Sequence, residues 1–346
     1  TGSIETAGDE AHGIWNDGYE NITTVSGSIK TEGEGAAGIV NYNVGENDVE
    51  LSSDRNETTV SGSIKTAGDD AVGIANIGNE NETTVSGSIK TGDVVAGTGN
   101  DAYGILNEGN GNETTVSGTG SIETAGDEAH GIGNSGNKNI TTVSGSIETA
   151  GHGAVGIANG RNDNETTLLG SIETTGNEAF GIYNRGDENR TTVSGSIKTA
   201  GDEAHGILNL GNDNETTISG TVSATGTDAS ALINFSGSGN SFTLNEGAVI
   251  IGDISAGSTS TNNKLKFNLG ASSSYAYTVG GGGAGAGQWT FTDQDGRTQG
   301  LTSINTSNCT AGPDYDVEGE VIADSSLTSV CNLVTGVSTG NLEVQD

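Results

Sequence analysis

Basic residues are scarce in this chain: 12 Lys and Arg stand against 46 Asp and Glu over 346 residues, a formal charge of −34. That balance excludes nucleic acid as the main partner, because phosphate binding needs a basic footprint. It also opposes docking on an anionic membrane without bridging cations. Aromatics are 4% of the chain and hydrophobic residues 31%, too lean for the core of a typical compact enzyme. No run of about 18 apolar residues occurs, so no stretch reads as a membrane-spanning helix. Methionine is absent, and there are one proline and two cysteines.

Glycine is abundant, with 59 residues, and much of it is placed periodically. The tripeptide Gly-Ser-Ile begins at Gly2, Gly27, Gly62, Gly87, Gly120, Gly145, Gly170 and Gly195, and a degenerate Gly-Thr-Val follows at Gly220. Successive spacings are 25, 35, 25, 33, 25, 25, 25 and 25, so the unit is 25 residues. The long units carry insertions, one around Val44 to Arg55 and one split between Asp93–Thr98 and the Thr119-Gly120 region. Insertions that leave the remaining unit intact are surface loops on a repeating scaffold.

Each unit holds three β-rich segments separated by Gly, Asn and Asp, such as Ser3–Thr6, Ala11–Asn16 and Thr23–Ser26. No 3.6-residue periodicity is sustained, and the interior glycines make long helices costly. Three strands and three corners per 25 residues describe one coil of a right-handed parallel β-helix, an all-β solenoid. Nine coils at about 4.8 Å give a rod of roughly 45 Å. Stacking places Ile4, Ile29, Ile64 and their equivalents in one column, Ile14, Ile39 and Ile74 in a second, and Val25, Val60 and Val85 in a third. One branched residue from each wall then fills a narrow interior. The facing of the columns that begin at His12 and Trp15 stays open: strict alternation puts His12 inside with Ile14, whereas Gly13 allows the strand to bend.

The pattern divides the chain into repeats over 1–219, a degenerate coil with a closing cap over 220–297, and a Gly/Ser/Thr-rich tail over 298–346. The cap is expected from alternating apolar segments at Asn240–Ile254, Asn263–Leu269, Tyr275–Val279 and Gln288–Asp293. Such a segment covers a solenoid edge that otherwise recruits foreign strands.

The iterated Gly-Ser-Ile-x-Thr-x-Gly-x-x-Ala-x-Gly-Ile pattern over residues 2–219, with the Asn240–Ile254 and Trp289–Asp293 segments after it, resembles a bacterial autotransporter passenger domain with its autochaperone-like junction. The resemblance implies export from a Gram-negative cell through an outer-membrane β-barrel translocator, and display or release at the surface. No signal peptide precedes Thr1 and no barrel follows Asp346, so the chain is expected to be a processed piece of a longer precursor.

In an oxidising compartment Cys309 and Cys331, 22 positions apart, are expected to form a disulfide worth about 3 kcal/mol. Two thiolates without a neighbouring His make an incomplete metal site. His12, His130 and His205 share the string Ala-Gly-Asp-Glu-Ala-His in coils too far apart to converge, and they and His152 have no nucleophile or base beside them, so all four read as structural. Acidic pairs at Asp9-Glu10, Asp69-Asp70, Asp127-Glu128 and Asp202-Glu203 recur at one corner. They are expected to form a solvated edge, with calcium the alternative, although the nonapeptide of calcium-binding β-rolls is absent. Asn-x-Thr recurs at Asn21, Asn56, Asn81, Asn112, Asn139, Asn164, Asn189 and Asn214, read as corner asparagines that satisfy turn backbone in preference to N-glycan acceptors.

No catalytic residue, cofactor site or metal site is assigned. The expected function is a non-enzymatic adhesive or structural rod, binding cell-surface or extracellular glycan or protein by distributed contact. The alternatives are a subunit that stacks head to tail into an extracellular filament through the uncapped coil at Thr1, and, more remotely, a polysaccharide-degrading β-helix. The last would have to use Glu46, Asp48, Glu50 and Asp54 of the insertion, which have no aromatic sugar platform beyond Tyr42.

Overall fold

The computed structural model describes residues 2–42, 55–92, 99–257, 259–268, 279–280, 288–293 and 304–305. The first coil sets the plan. Strand β1 (Ser3–Ala7), strand β2 (Ile14–Asp17) and strand β3 (Ile22–Val25) form its three walls, and each later coil repeats them. The described strands stack into three sheets of 10, 11 and 12 strands. All neighbours are parallel except the last pair, in which Gln288 lies antiparallel to Asn305. No helix occurs among the described residues. The fold is a parallel β-solenoid.

Register is one-to-one through the repeats, and among the described strands it shifts once, between Ser230 and Leu232, where Ser230–Asn234 pairs with Asp253–Ala256. Ile4 sits on Ile29, Ile14 on Ile39 and Val25 on Val60, and the register is the same on either side of both long coils. The three aliphatic columns pack into one continuous core from Val25 to Leu265. They are only part of the interior. Thr31, Ala36, Asn41, Asn56 and Thr58 of the second coil are also at most 1% exposed, so the lumen is lined by alternating apolar and polar columns.

The asparagine column that begins at Asn16 is self-satisfying. In the Asn16 column each Nδ2 donates to the Oδ1 of the next coil's asparagine, as from Asn107 to Asn134 at 2.8 Å and from Asn134 to Asn159 at 2.9 Å. The second N–H of Asn134 goes to Thr141 Oγ1 within the coil, at 3.1 Å. Thr124 Oγ1 donates across the first corner to the carbonyl of Ala129 at 2.6 Å. In the Asn16 column every coil supplies the partner for the next, whereas Nδ2 of Asn139, Asn189 and Asn214 and Oγ1 of Thr216, in the neighbouring columns, are buried without a hydrogen-bond partner among the described residues.

Two corners per coil need left-handed backbone. Glu10, Asp70, Asp101, Glu128, Glu178, Glu203 and Asp228 hold φ of 54–56° at the first corner, and Gly35 and Gly153 take the same place in two coils. Beside the second wall a glycine column is required by close approach. A Cβ on Gly156 would lie 2.4 Å from Ile172 Cγ2 and 2.6 Å from the carbonyl oxygen of Gly181.

Toward the C-terminus the lumen becomes more apolar, although Asn240 and Asn263 stay buried in it. Phe242 and Leu265 continue the Thr23 column, Ala224 succeeds Thr199, and Ala256 succeeds Asn234. The strands at Ser241–Asn245 and Asn263–Asn268 thus extend the same sheets with a drier core, and the short antiparallel strand Ile304–Asn305 is laid on the third sheet at Gln288–Asp293.

Replacing Asn134 by Leu strands the Asn107 amide and the Asn159 carbonyl in the lumen. The expected loss is about 3 kcal/mol or more, from two buried groups at roughly 1–3 kcal/mol each, read as a lowered urea midpoint. Gly156→Ala is expected to cost about 1–3 kcal/mol by overpacking against backbone that cannot yield; an unchanged midpoint would contradict the close approach.

Candidate interaction surface

The His12 and Trp15 columns lie outside the core. The break at Gly13, just before β2 begins, lets His12 and Trp15 both face outward while Ile14 and Asn16 face in. On the outer face of the second sheet Ala37, Val40, Val72 and Ala75 form an apolar cluster separate from the lumen, flanked by Tyr42, Ile77, Tyr103 and Leu106. Ring contacts run along the stripe: His12 to Trp15 at 5.1 Å, Trp15 to Tyr42 at 5.2 Å, Tyr103 to His130 at 4.9 Å and Phe180 to His205 at 5.4 Å. Gly133 makes room for this packing, since a Cβ there would meet the Tyr103 ring at 2.7 Å. Trp15 remains 50% exposed. The stripe is thus an apolar and aromatic line on an otherwise polar, acidic rod.

The histidines of this stripe act as hydrogen-bond acceptors. His12 Nδ1 accepts from the backbone N–H of Ala37 at 3.0 Å, His130 Nδ1 from Val155 at 3.1 Å and His205 Nδ1 from Ser230 at 2.9 Å. An imidazole that accepts at Nδ1 must be neutral there, and burial agrees: it lowers His12 and pushes His130 and His205 down to about 4. His152 belongs to a different column and is exposed, 3.3 Å from Glu178. The four histidines therefore occupy separate places, as their sequence spacing requires.

The acidic corners are built in. In the Asp9 column the carboxylate or amide oxygen accepts the backbone N–H of the next coil: Asp9 from Glu34 at 3.1 Å, Asp127 from His152 at 2.9 Å, Asn177 from Asp202 at 3.0 Å and Asp202 from Thr227 at 3.0 Å. The Glu10 column supplies the left-handed residue beside it. Burial raises the Asp101 carboxyl above its ordinary range, and the charges of Glu128, Asp70 and Asp69 push it the same way. Among the described residues no group of three or more His, Cys, Asp or Glu is placed to hold a metal ion.

The Asn-x-Thr asparagines are interior. Asn56, Asn81, Asn112, Asn139, Asn164, Asn189 and Asn214 are at most 1% exposed. Their Oδ1 atoms accept from the backbone of the preceding coil, as from Asn112 N–H to Asn139 at 2.8 Å and from Asn189 N–H to Asn214 at 2.9 Å. A glycan on such a nitrogen has no space in the folded rod. Cys309, Cys331 and the insertion acids Glu46, Asp48, Glu50 and Asp54 lie outside the described residues.

Sequence reasoning missed two features. The Asn16 column was legible as an asparagine at the same place in nine consecutive coils, and the Asp9 column as a place dominated by Asp and Asn beside a variable acid. Comparison with protein families, with curated proteins and with solved structures found no match.

The pH dependence follows from the depressed histidines. An unfolded His titrates near 6.5 and a folded His130 or His205 near 4. Their contribution is whole above about pH 6.5, is lost as pH falls from there toward 4, and amounts to roughly 3 kcal/mol per residue at most. The double variant His130→Val, His205→Phe, using residues that fill the same column elsewhere, should flatten the stability profile between pH 7 and 4.5. Urea melts at both pH values check this, and an unchanged acid loss would contradict it.

Proposed function

We propose that this chain is a non-enzymatic rod of the bacterial cell exterior, whose outer columns make distributed contacts with a surface or polymer. The observation that carries the reading is the linear stripe on the second sheet, with apolar and aromatic side chains repeated coil after coil over an unbroken stack. Such a line suits an extended ligand, a glycan chain or an extended polypeptide, in which the same group recurs along its length. Aromatic faces supply stacking area, and the flanking acid keeps the rod soluble at high concentration. The resemblance to autotransporter passengers supports export through an outer-membrane barrel. The expected Cys309–Cys331 disulfide fits an oxidising exterior.

The test is saturable binding of purified rods to extracellular polysaccharides and to cell surfaces, with electron microscopy of the same sample. Single rods whose binding weakens tenfold or more in Trp15→Ser, Tyr42→Ser support the reading, because both rings sit on the outer face and neither enters the lumen. Undiminished binding by that variant, turnover of the polysaccharide, or end-to-end fibres as the working form would each overturn it.

A further inference from the structure

The outer face of the first sheet carries a charge pattern that is complementary to itself. One column of this face reads Glu5, Lys30, Lys65, Lys90, Glu123, Glu148, Glu173, Lys198, each stacked directly on the next. Reversed end for end, every position meets the opposite sign: Glu5 against Lys198, Lys30 against Glu173, Lys65 against Glu148, and Lys90 against Glu123. The column is neutral, with four Lys and four Glu in a chain of net charge −34, and it holds four of the chain's 12 basic residues. We propose that two copies of this chain pair side by side and antiparallel through this face, about a two-fold axis between Lys90 and Glu123.

Three further observations favour a second copy as the occupant. The face is flat where it must be. Ser3, Ser28, Ser63, Ser88, Ser121, Ser146, Ser171 and Ser196 form the column on one side, and mostly Ala, with Glu32, Gly92 and Thr175, the column on the other. Small flanking residues let two sheets approach to about 10 Å, the distance at which sheets pack. Second, the isolated rod stacks like charges at about 4.8 Å. Within a rod the ion pairs fall where the sign changes, at Lys30–Glu5, Lys90–Glu123 and Lys198–Glu173, together with Lys30–Glu32. Lys65 and Glu148, at the centres of the two blocks, are exposed and make no ion pair among the described residues. The antiparallel partner brings each of them its counter-charge. Third, parallel pairing in register places like on like at all eight positions, so orientation is specified. An isologous arrangement of this kind closes as a dimer and does not grow into a fibre.

The face spans seven coil steps, about 34 Å, by about 15 Å of strand. That is on the order of 500 Å² per copy, in the class of small, transient interfaces. The pairing is therefore weak, driven by charge and sensitive to salt. It does not depend on the function proposed above, since it uses a different sheet.

Sedimentation equilibrium of the whole chain from micromolar to millimolar concentration, at about 0.05 and about 0.5 M salt, reads the association. The expected result is a monomer–dimer equilibrium at least tenfold weaker at the higher salt. The triple variant Glu123→Lys, Glu148→Lys, Glu173→Lys and the triple variant Lys30→Glu, Lys65→Glu, Lys90→Glu should each stay monomeric, and their equimolar mixture should dimerise. The sixfold variant combining both sets keeps composition, net charge and end-for-end complementarity, and should dimerise like the parent. A zero-length carbodiimide crosslink between Lys65 and Glu148 reads orientation in the unmodified protein. The two stand three coils apart in one rod, roughly 14 Å, beyond its reach. A monomer at every concentration in low salt, a triple variant that associates as the parent does, a mixture that stays monomeric, or dimers without that crosslink would each overturn the proposal. If a triple variant fails to fold, the sixfold variant and the crosslink still decide.

Discussion

The structure depends on a side chain that can pair with a copy of itself. A primary amide donates from nitrogen and accepts at oxygen, so asparagines stacked at the strand spacing form a hydrogen-bonded chain that needs no other partner. From Asn16 through Asn41, Asn76, Asn107, Asn134, Asn159, Asn184 and Asn209 to Asn234 that chain runs unbroken inside the rod, with distances of 2.7–3.0 Å. It fixes register as well as contributing energy. A slip of one residue would flip every side chain to the other face and leave a row of amides among isoleucines. This is how a chain with so few large apolar residues holds a single parallel register over the nine coils from Asn16 to Asn234.

With the lumen fixed in this way, the outward columns are free to differ, and each wall carries its own chemistry. The first presents serine, charge and alanine; the second presents the aromatic and histidine stripe; the third presents a threonine column from Thr24 onward, beside mostly acidic residues such as Glu57 and Glu82. Function in such a rod resides in lines and not in points, because neighbouring coils repeat a place in the unit while distant coils never meet. The histidines illustrate the difference. They read as structural repeats in the sequence, and in the fold His12, His130 and His205 are neutral acceptors that tie one coil's backbone to the next.

The period, the three walls, the parallel stacking and the three aliphatic columns were all legible in the sequence, because the Ile and Val places recur with the same neighbours in every unit. What was not legible were distinctions that need the third dimension. Gly13 hid the facing of His12: a bend before β2 puts two residues on the outside that strict alternation would divide. The acidic corner read only as a solvated edge, with calcium the alternative, because sequence does not show that Asp9 and its equivalents accept a backbone N–H from the coil above. The Asn-x-Thr asparagines satisfy backbone at the turn, as the sequence suggested, but their burial was not legible, since the chain turns just before them and the amide enters the lumen. In each case the missing fact was which neighbour lies one coil away.

Removal of one whole coil, residues 145–169, tests the account most directly. This excision sets Ile172 on Ile122, Asn184 on Asn134 and Val193 on Val143, so every inward column stays like on like. The account predicts a folded rod shorter by about 4.8 Å in small-angle scattering. Its cooperative urea transition should have a slope reduced in proportion to the surface removed. A chain that collapses, loses cooperativity or unfolds on this excision would contradict the claim that self-pairing columns, repeated coil by coil, hold the structure together.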